Sequence, residues 1–107
     1  MWAAQIVLEE REKNPSLKLI CAIPFPGVEQ KWNADWRHQF EQVLVRADLV
    51  RYICQEFSMG AYQVRNCWMV RHSALLIAAY TGASGGTRNT IECAKKTGRC
   101  EIRCLML

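Results

Sequence analysis

Residues 80–94, YTGASGGTRNTIECA, lead from an apolar run through a glycine-rich turn into a helix-forming stretch. Glycines without a Cβ let backbone N–H groups come close to a phosphate. A helix starting just after them adds unpaired N–H groups and about half a unit of positive partial charge. The chemistry this order suits is anion binding, by Gly85, Gly86, Thr87, Arg88, Asn89 and Thr90. Thr87 and Thr90 bring hydroxyls and Arg88 a guanidinium. No Gly-Lys-Ser/Thr closes the turn, so it is not a Walker A loop. A plain strand-to-helix connection is the simpler alternative.

Two further pairs could join such a site. Arg65 and Asn66 are polar residues among Val64, Cys67, Trp68, Met69 and Val70, and an arginine fork matches phosphate geometry. An exposed helix face would explain them equally well. Pro24 and Phe25 belong to the stiff segment IPFPG at 23–27, followed by Trp32, and could present an aromatic surface to a flat ligand. Core packing is the alternative for both aromatics.

No catalytic set emerges. His38 falls on the polar side of its segment and His72 ends another, neither beside a nucleophile and an orienting acid. Glu92 is the acid nearest the glycine turn, but it lies well inside the following helix. The six cysteines, Cys21, Cys54, Cys67, Cys93, Cys100 and Cys104, form no C-x-x-C pair. Their spacing is not that of a zinc site, and reduced thiols are expected. Neither a metal nor a resident cofactor is implied.

The elements that must position these residues alternate. Trp2, Ala3, Ile6 and Val7 mark one helical face, ended at Asn14-Pro15. Residues 17–23 read as a strand. Asn33 or Asp35 caps a second helix with Trp36, Phe40, Val43 and Leu44 on one side. Residues 49–54 read as a strand, 61–72 as a helix, and 74–80 as a strand apolar throughout, which suits burial on both faces. A helix over 88–96, stopped by Gly98, and a strand over 101–107 complete the order α-β-α-β-α-β-α-β. That alternation predicts one α/β domain over 1–107, a three-layer Rossmann-like arrangement with a mostly parallel sheet. A doubly wound domain normally opens on a strand, whereas this chain opens on a helix.

Of the 107 residues, 50% are hydrophobic and 22% charged, which excludes a disordered chain. The longest apolar stretch, 74–80, is far short of the roughly 20 residues of a membrane span. No signal peptide is visible, so a cytoplasmic location without membrane association is expected. The net charge of +4 is uneven: residues 1–60 hold 7 basic against 8 acidic residues, and 61–107 hold 7 against 2. The basic second half favours an anionic partner.

The strings IPFPGVEQKW, ADLV, YQVRNCWMV and GGTRNTIECA resemble the YpsA-like family of the SLOG superfamily, Rossmann-like domains related to DprA and to the LOG hydrolases. The resemblance runs from Trp2-Ala3-Ala4 to nearly the end. It implies a nucleotide-derived ligand held between the glycine loop and the third helix. Three departures stand out. The family's opening strand and G-x-x-x-G-x-D-type segment would precede Met1, so the domain is expected to be N-terminally truncated, and to self-associate or be marginally stable. Arg71 stands where the family usually has an acid. Thr90 stands where LOG hydrolases carry a glutamate, although Arg65 falls near their arginine. Binding or sensing of a nucleotide-derived ligand is therefore the first expectation. A LOG-like N-glycosidic hydrolase and a DprA-like nucleic-acid binder follow it.

Overall fold

The computed structural model describes residues 2–106. The order is α1 (Trp2–Lys13), β1 (Ile20–Ile23), α2 (Ala34–Arg46), β2 (Leu49–Tyr52), α3 (Ala61–Arg71), β3 (Leu75–Tyr80), α4 (Gly86–Thr97) and β4 (Glu101–Met106). The predicted α/β alternation is present, and every strand pairing is parallel. The strands form two pairs, β1 with β2 and β3 with β4. Each pair is joined through a helix, as parallel neighbours require. The chain divides into two compact units, 1–57 and 58–107. Among the described residues no helix is long and apolar enough to cross a membrane.

In the first unit, α1 ends where Asn14 turns the chain: its Oδ1 accepts from the Ser16 backbone N–H at 3.2 Å and from Ser16 Oγ at 2.6 Å. The inward face of α1 differs from the expected one. Trp2 is 77% exposed and Ile6 is exposed, while Leu8 is buried with Leu19 and Val43, and Ala4 and Val7 pack beside them. Apolar residues at 2, 3, 4, 6, 7 and 8 allow either face. Ala4, Val7, Leu8 and Arg11 follow helical spacing, and Arg11 is anchored by a polar tie. Asn33 caps α2 as expected, its Oδ1 accepting from the Trp36 N–H at 2.9 Å.

That tie is Asp48. Its Oδ2 accepts from the Leu19 N–H at 2.8 Å and from Arg11 Nη1 at 2.9 Å, and Arg11 also donates to the Arg46 carbonyl. The Leu19 backbone bond, ahead of the Arg11 guanidinium, holds the Asp48 carboxyl below its ordinary range. A carboxylate whose pKa is depressed by folding stabilises the fold above its unfolded pKa and loses that contribution as pH falls through the folded value. Asp48→Asn is therefore expected to lower the melting temperature at pH 7 and to match the parent below the Asp48 pKa. A deficit of the same size at neutral and strongly acidic pH would refute this role.

In the second unit α4 packs against α3 and β3. The buried residues are Ala61, Val70, Ala78, Ile91 and Ala94. The expectation that β3 is covered on both faces is corrected. Ala78 is buried, but Leu75 is 39% and Ile77 62% exposed. With strand period two, Leu75, Ile77 and Ala79 point to the side opposite Ala78. The apolar run records the strand's propensity, not two-sided burial. The fourth helix begins at Gly86, two residues earlier than expected, and Gly98 closes it in the left-handed conformation at φ 67°.

Candidate functional site

The loop after β3 reaches α4 through two glycines in conformations that side chains disfavour. Gly82 has φ 93°, and Gly85 has φ 147° with ψ −164°, a region essentially limited to glycine. Gly85 is the N-cap of α4 and offers no side chain to its first turn. The first intrahelical bond runs from the Asn89 N–H to the Gly85 carbonyl at 3.0 Å. The N–H groups of Gly86, Thr87 and Arg88 therefore have no acceptor within the helix. Residues 81–89 are all exposed, so these donors meet solvent or a ligand.

Two clefts open here. One, of about 240 Å³, is lined by Tyr80, Thr81, Ser84, Gly85, Gly86 and Thr87, among others. The other, of about 490 Å³, is lined by Asn66, Met69, Gly86, Thr87, Thr90 and residues of β3. Gly86 and Thr87 border both. The third helix and the glycine loop thus contribute to a single cleft.

The expected residues take different places in it. Asn66 faces the 490 Å³ cleft, and Arg65 Nε donates to Asn66 Oδ1 at 2.8 Å. Half-burial lowers the Arg65 pKa from its ordinary value, chiefly by desolvation, and Arg65 lies 6.0 Å from the Tyr62 ring centroid. Arg65 lines neither cleft and bears on Asn66. Arg88 and Asn89 lie in the exposed first turn of α4, outside both linings. Thr90 lines the 490 Å³ cleft, and its Oγ1 donates to the Gly86 carbonyl at 2.8 Å. Glu92 pairs with Lys95 at 3.9 Å. His72 caps α3, its Nδ1 2.7 Å from the Trp68 carbonyl and its ring stacked on Trp68.

Pro24 and Phe25 belong to the first unit. Pro24 is buried at the end of β1, and the Phe25 ring meets Phe57 edge to face, centroids 5.4 Å apart. Trp32 packs likewise on Phe40. Tyr80, Thr81, Ser84 and Met69 were not expected in the site. The signal for the first three was their place in the strand-end loop, where ligands of open α/β sheets lie. Among the described residues no three His, Cys, Asp or Glu side chains come together to hold a metal ion. The six thiols are free.

A family model described as the YspA SLOG family, YpsA, matches residues 1–104. The SPbeta prophage-derived protein YoqJ of Bacillus subtilis (strain 168) is 32% identical over 108 residues, covering 90% of this chain and 61% of its own length. UPF0398 proteins of Bacillus cereus (strain B4264) and Bacillus thuringiensis (strain Al Hakam) are each 33% identical over 104 residues. Those alignments cover 94% of this chain and 56% of each relative. The chain thus spans little more than half the length of these relatives.

Proposed function

The chain belongs to the YpsA family of SLOG proteins, and we propose that it binds or senses a nucleotide-derived, phosphate-bearing small molecule through the Gly85–Gly86–Thr87 loop. One observation carries this reading: the uncapped first turn of α4 borders a cleft that also receives Asn66 from α3. The Gly86, Thr87 and Arg88 N–H groups meet the phosphate, and the helix dipole favours its charge. The cleft's apolar wall, with Met69 and Ile77, suits the flat body of a nucleoside. Arg65 orients Asn66, while Arg88 and Asn89 supply charge and polarity at the rim. Pro24 and Phe25 are proposed as a separate ligand-binding segment on the first unit, in which the buried Pro24 positions the half-buried Phe25 ring.

The proposal takes 1–107 as one ligand-binding domain in the cytoplasm. Binding is favoured over hydrolysis because Glu92 is engaged with Lys95 and Thr90 stands where LOG enzymes carry an acid.

A thermal-shift screen of nucleotides and ADP-ribose derivatives tests it, since a ligand of the folded state must raise the melting temperature. Asn66→Ala should weaken a hit about tenfold, roughly 1.4 kcal/mol. Arg65→Ala should do the same or less, because it acts through Asn66. No shift from any phosphate-bearing nucleotide, or full affinity in Asn66→Ala, would remove the reading. An oligonucleotide outbinding every mononucleotide would instead support a nucleic-acid partner.

Self-association is part of the proposal, because Ile77, Leu105 and Met106 are 57–68% exposed on the β3–β4 pair. Light scattering over a concentration series should show mass rising with concentration. A monodisperse monomer throughout would contradict it.

A further inference from the structure

At the opposite end of the second unit, α3 and α4 finish close to the start of β3 and β4. There a cleft of about 310 Å³ is lined by Val70, Arg71, Thr97 and Arg99. We propose that Arg71 and Arg99 form a second oxyanion site, for the phosphate of a phosphomonoester, distinct from the glycine loop.

Arginines at helix C-termini often serve only to satisfy the last carbonyls. Here other donors already do that. The Trp68 carbonyl faces the His72 N–H and ring Nδ1, Met69 accepts from Ser73 Oγ at 2.6 Å, and Val70 accepts from the Ser73 N–H. On α4 the Ala94 carbonyl accepts from Thr97 Oγ1 at 2.8 Å and from the Gly98 N–H. Each of these carbonyls takes its donor from a group other than the two guanidiniums.

Acids do not occupy them either. Residues 58–107 contain two acids, Glu92 and Glu101. Glu92 pairs with Lys95 and Glu101 with Arg103. Among the described residues no carboxylate pairs with Arg71, Lys96 or Arg99. Arg71 and Lys96 both act on the Cys93 thiol of α4. Its hydrogen bond with Cys67 and then burial push that thiol up, while the two cations pull it down. Lys96 adds a further positive charge in the last turn of α4. Arg71 and Arg99 both line this one opening, and a guanidinium fork matches the paired oxygens of a phosphate dianion.

The site does not depend on the glycine loop, and the test keeps them apart. In the full chain, amide and arginine side-chain NMR signals are followed during titration with inorganic phosphate, against chloride at equal ionic strength. The titration is repeated with ribose 5-phosphate and with a short single-stranded oligonucleotide. Arg71 and Arg99 signals should move saturably with phosphate and with the monoester, and should still do so in Gly86→Leu. The Arg71→Gln/Arg99→Gln double variant, whose substitutions are exposed, should bind at least tenfold more weakly at this end. Equal shifts with chloride, unchanged affinity in the double variant, or saturation by the oligonucleotide below the monoester would each overturn the proposal. If the loop reading alone fails, amides 82–90 stay still while the arginine signals move.

Discussion

Gly86→Leu is expected to abolish binding of a phosphate-bearing nucleotide while leaving the melting temperature unchanged or slightly raised. Gly86 is the first residue of α4 and does not have a positive φ. A Cβ built on it meets no protein atom within 4 Å, so the fold accepts a side chain there. Replacing glycine by leucine in a helix gains up to about 1 kcal/mol in propensity, less at a first position. The space the side chain enters is the two clefts that Gly86 borders. Four added carbons would hold a phosphate away from the first-turn N–H groups. A loss of at least a hundredfold is expected, about 2.8 kcal/mol. Gly85→Ala makes the informative contrast. Its backbone lies where side chains are strained by about 1–3 kcal/mol, so that variant loses stability as well as binding. Calorimetric titration alongside thermal melts separates the two. Undiminished affinity in Gly86→Leu would show that the ligand does not approach the loop.

What the sequence made legible follows the physics that each residue reports. Asn33 and Gly98 announce their caps because an acceptor at N-cap and a left-handed C-terminus have few other solutions. Pro15 and the 23–27 segment stop their elements for equally local reasons. The strand–glycine turn–helix order of the loop was legible because its glycines and the following helix are adjacent in sequence. Less legible was what depends on packing between distant segments. The start of α4 at Gly86 runs against glycine's low helix propensity, and it makes Gly86 and Thr87, which border both clefts, the first residues of the helix. Exposure of Ile77 could not be read from an apolar run, because a strand's composition does not say which faces are covered. Leu8 is buried in place of Trp2 on a helix whose Arg11 reaches Asp48 across 37 positions, a contact no local pattern announces. Convergence of Arg71 and Arg99, likewise, follows from two helices ending together, which no motif encodes.

The second large effect is expected from Ile91→Ala, and it runs opposite to the first: stability falls, and binding is lost only as the unit unfolds. Three of the five buried apolar residues of the second unit are alanines, so Ile91 and Val70 supply most of its buried side-chain volume. Ile91 is 4% exposed on α4, one residue after Thr90 and five after Gly86. Removing three carbons from such a position loses transfer free energy and leaves a cavity, together about 2–5 kcal/mol. Against a total domain stability of roughly 5–15 kcal/mol, that is a large share. Ile91→Val should cost only about 0.5–1.5 kcal/mol. Ile77→Ala, on a residue 62% exposed, should change stability by about half a kcal/mol or less, although it carries the same deletion. Denaturant melts of the three variants rank them. At temperatures where Ile91→Ala is still folded, its affinity for a phosphate-bearing nucleotide should equal the parent's, because the side chain lines neither cleft. Similar stability losses in Ile91→Ala and Ile77→Ala would mean that β3 is buried in solution, and the one-sided packing that positions the glycine loop would have to be abandoned.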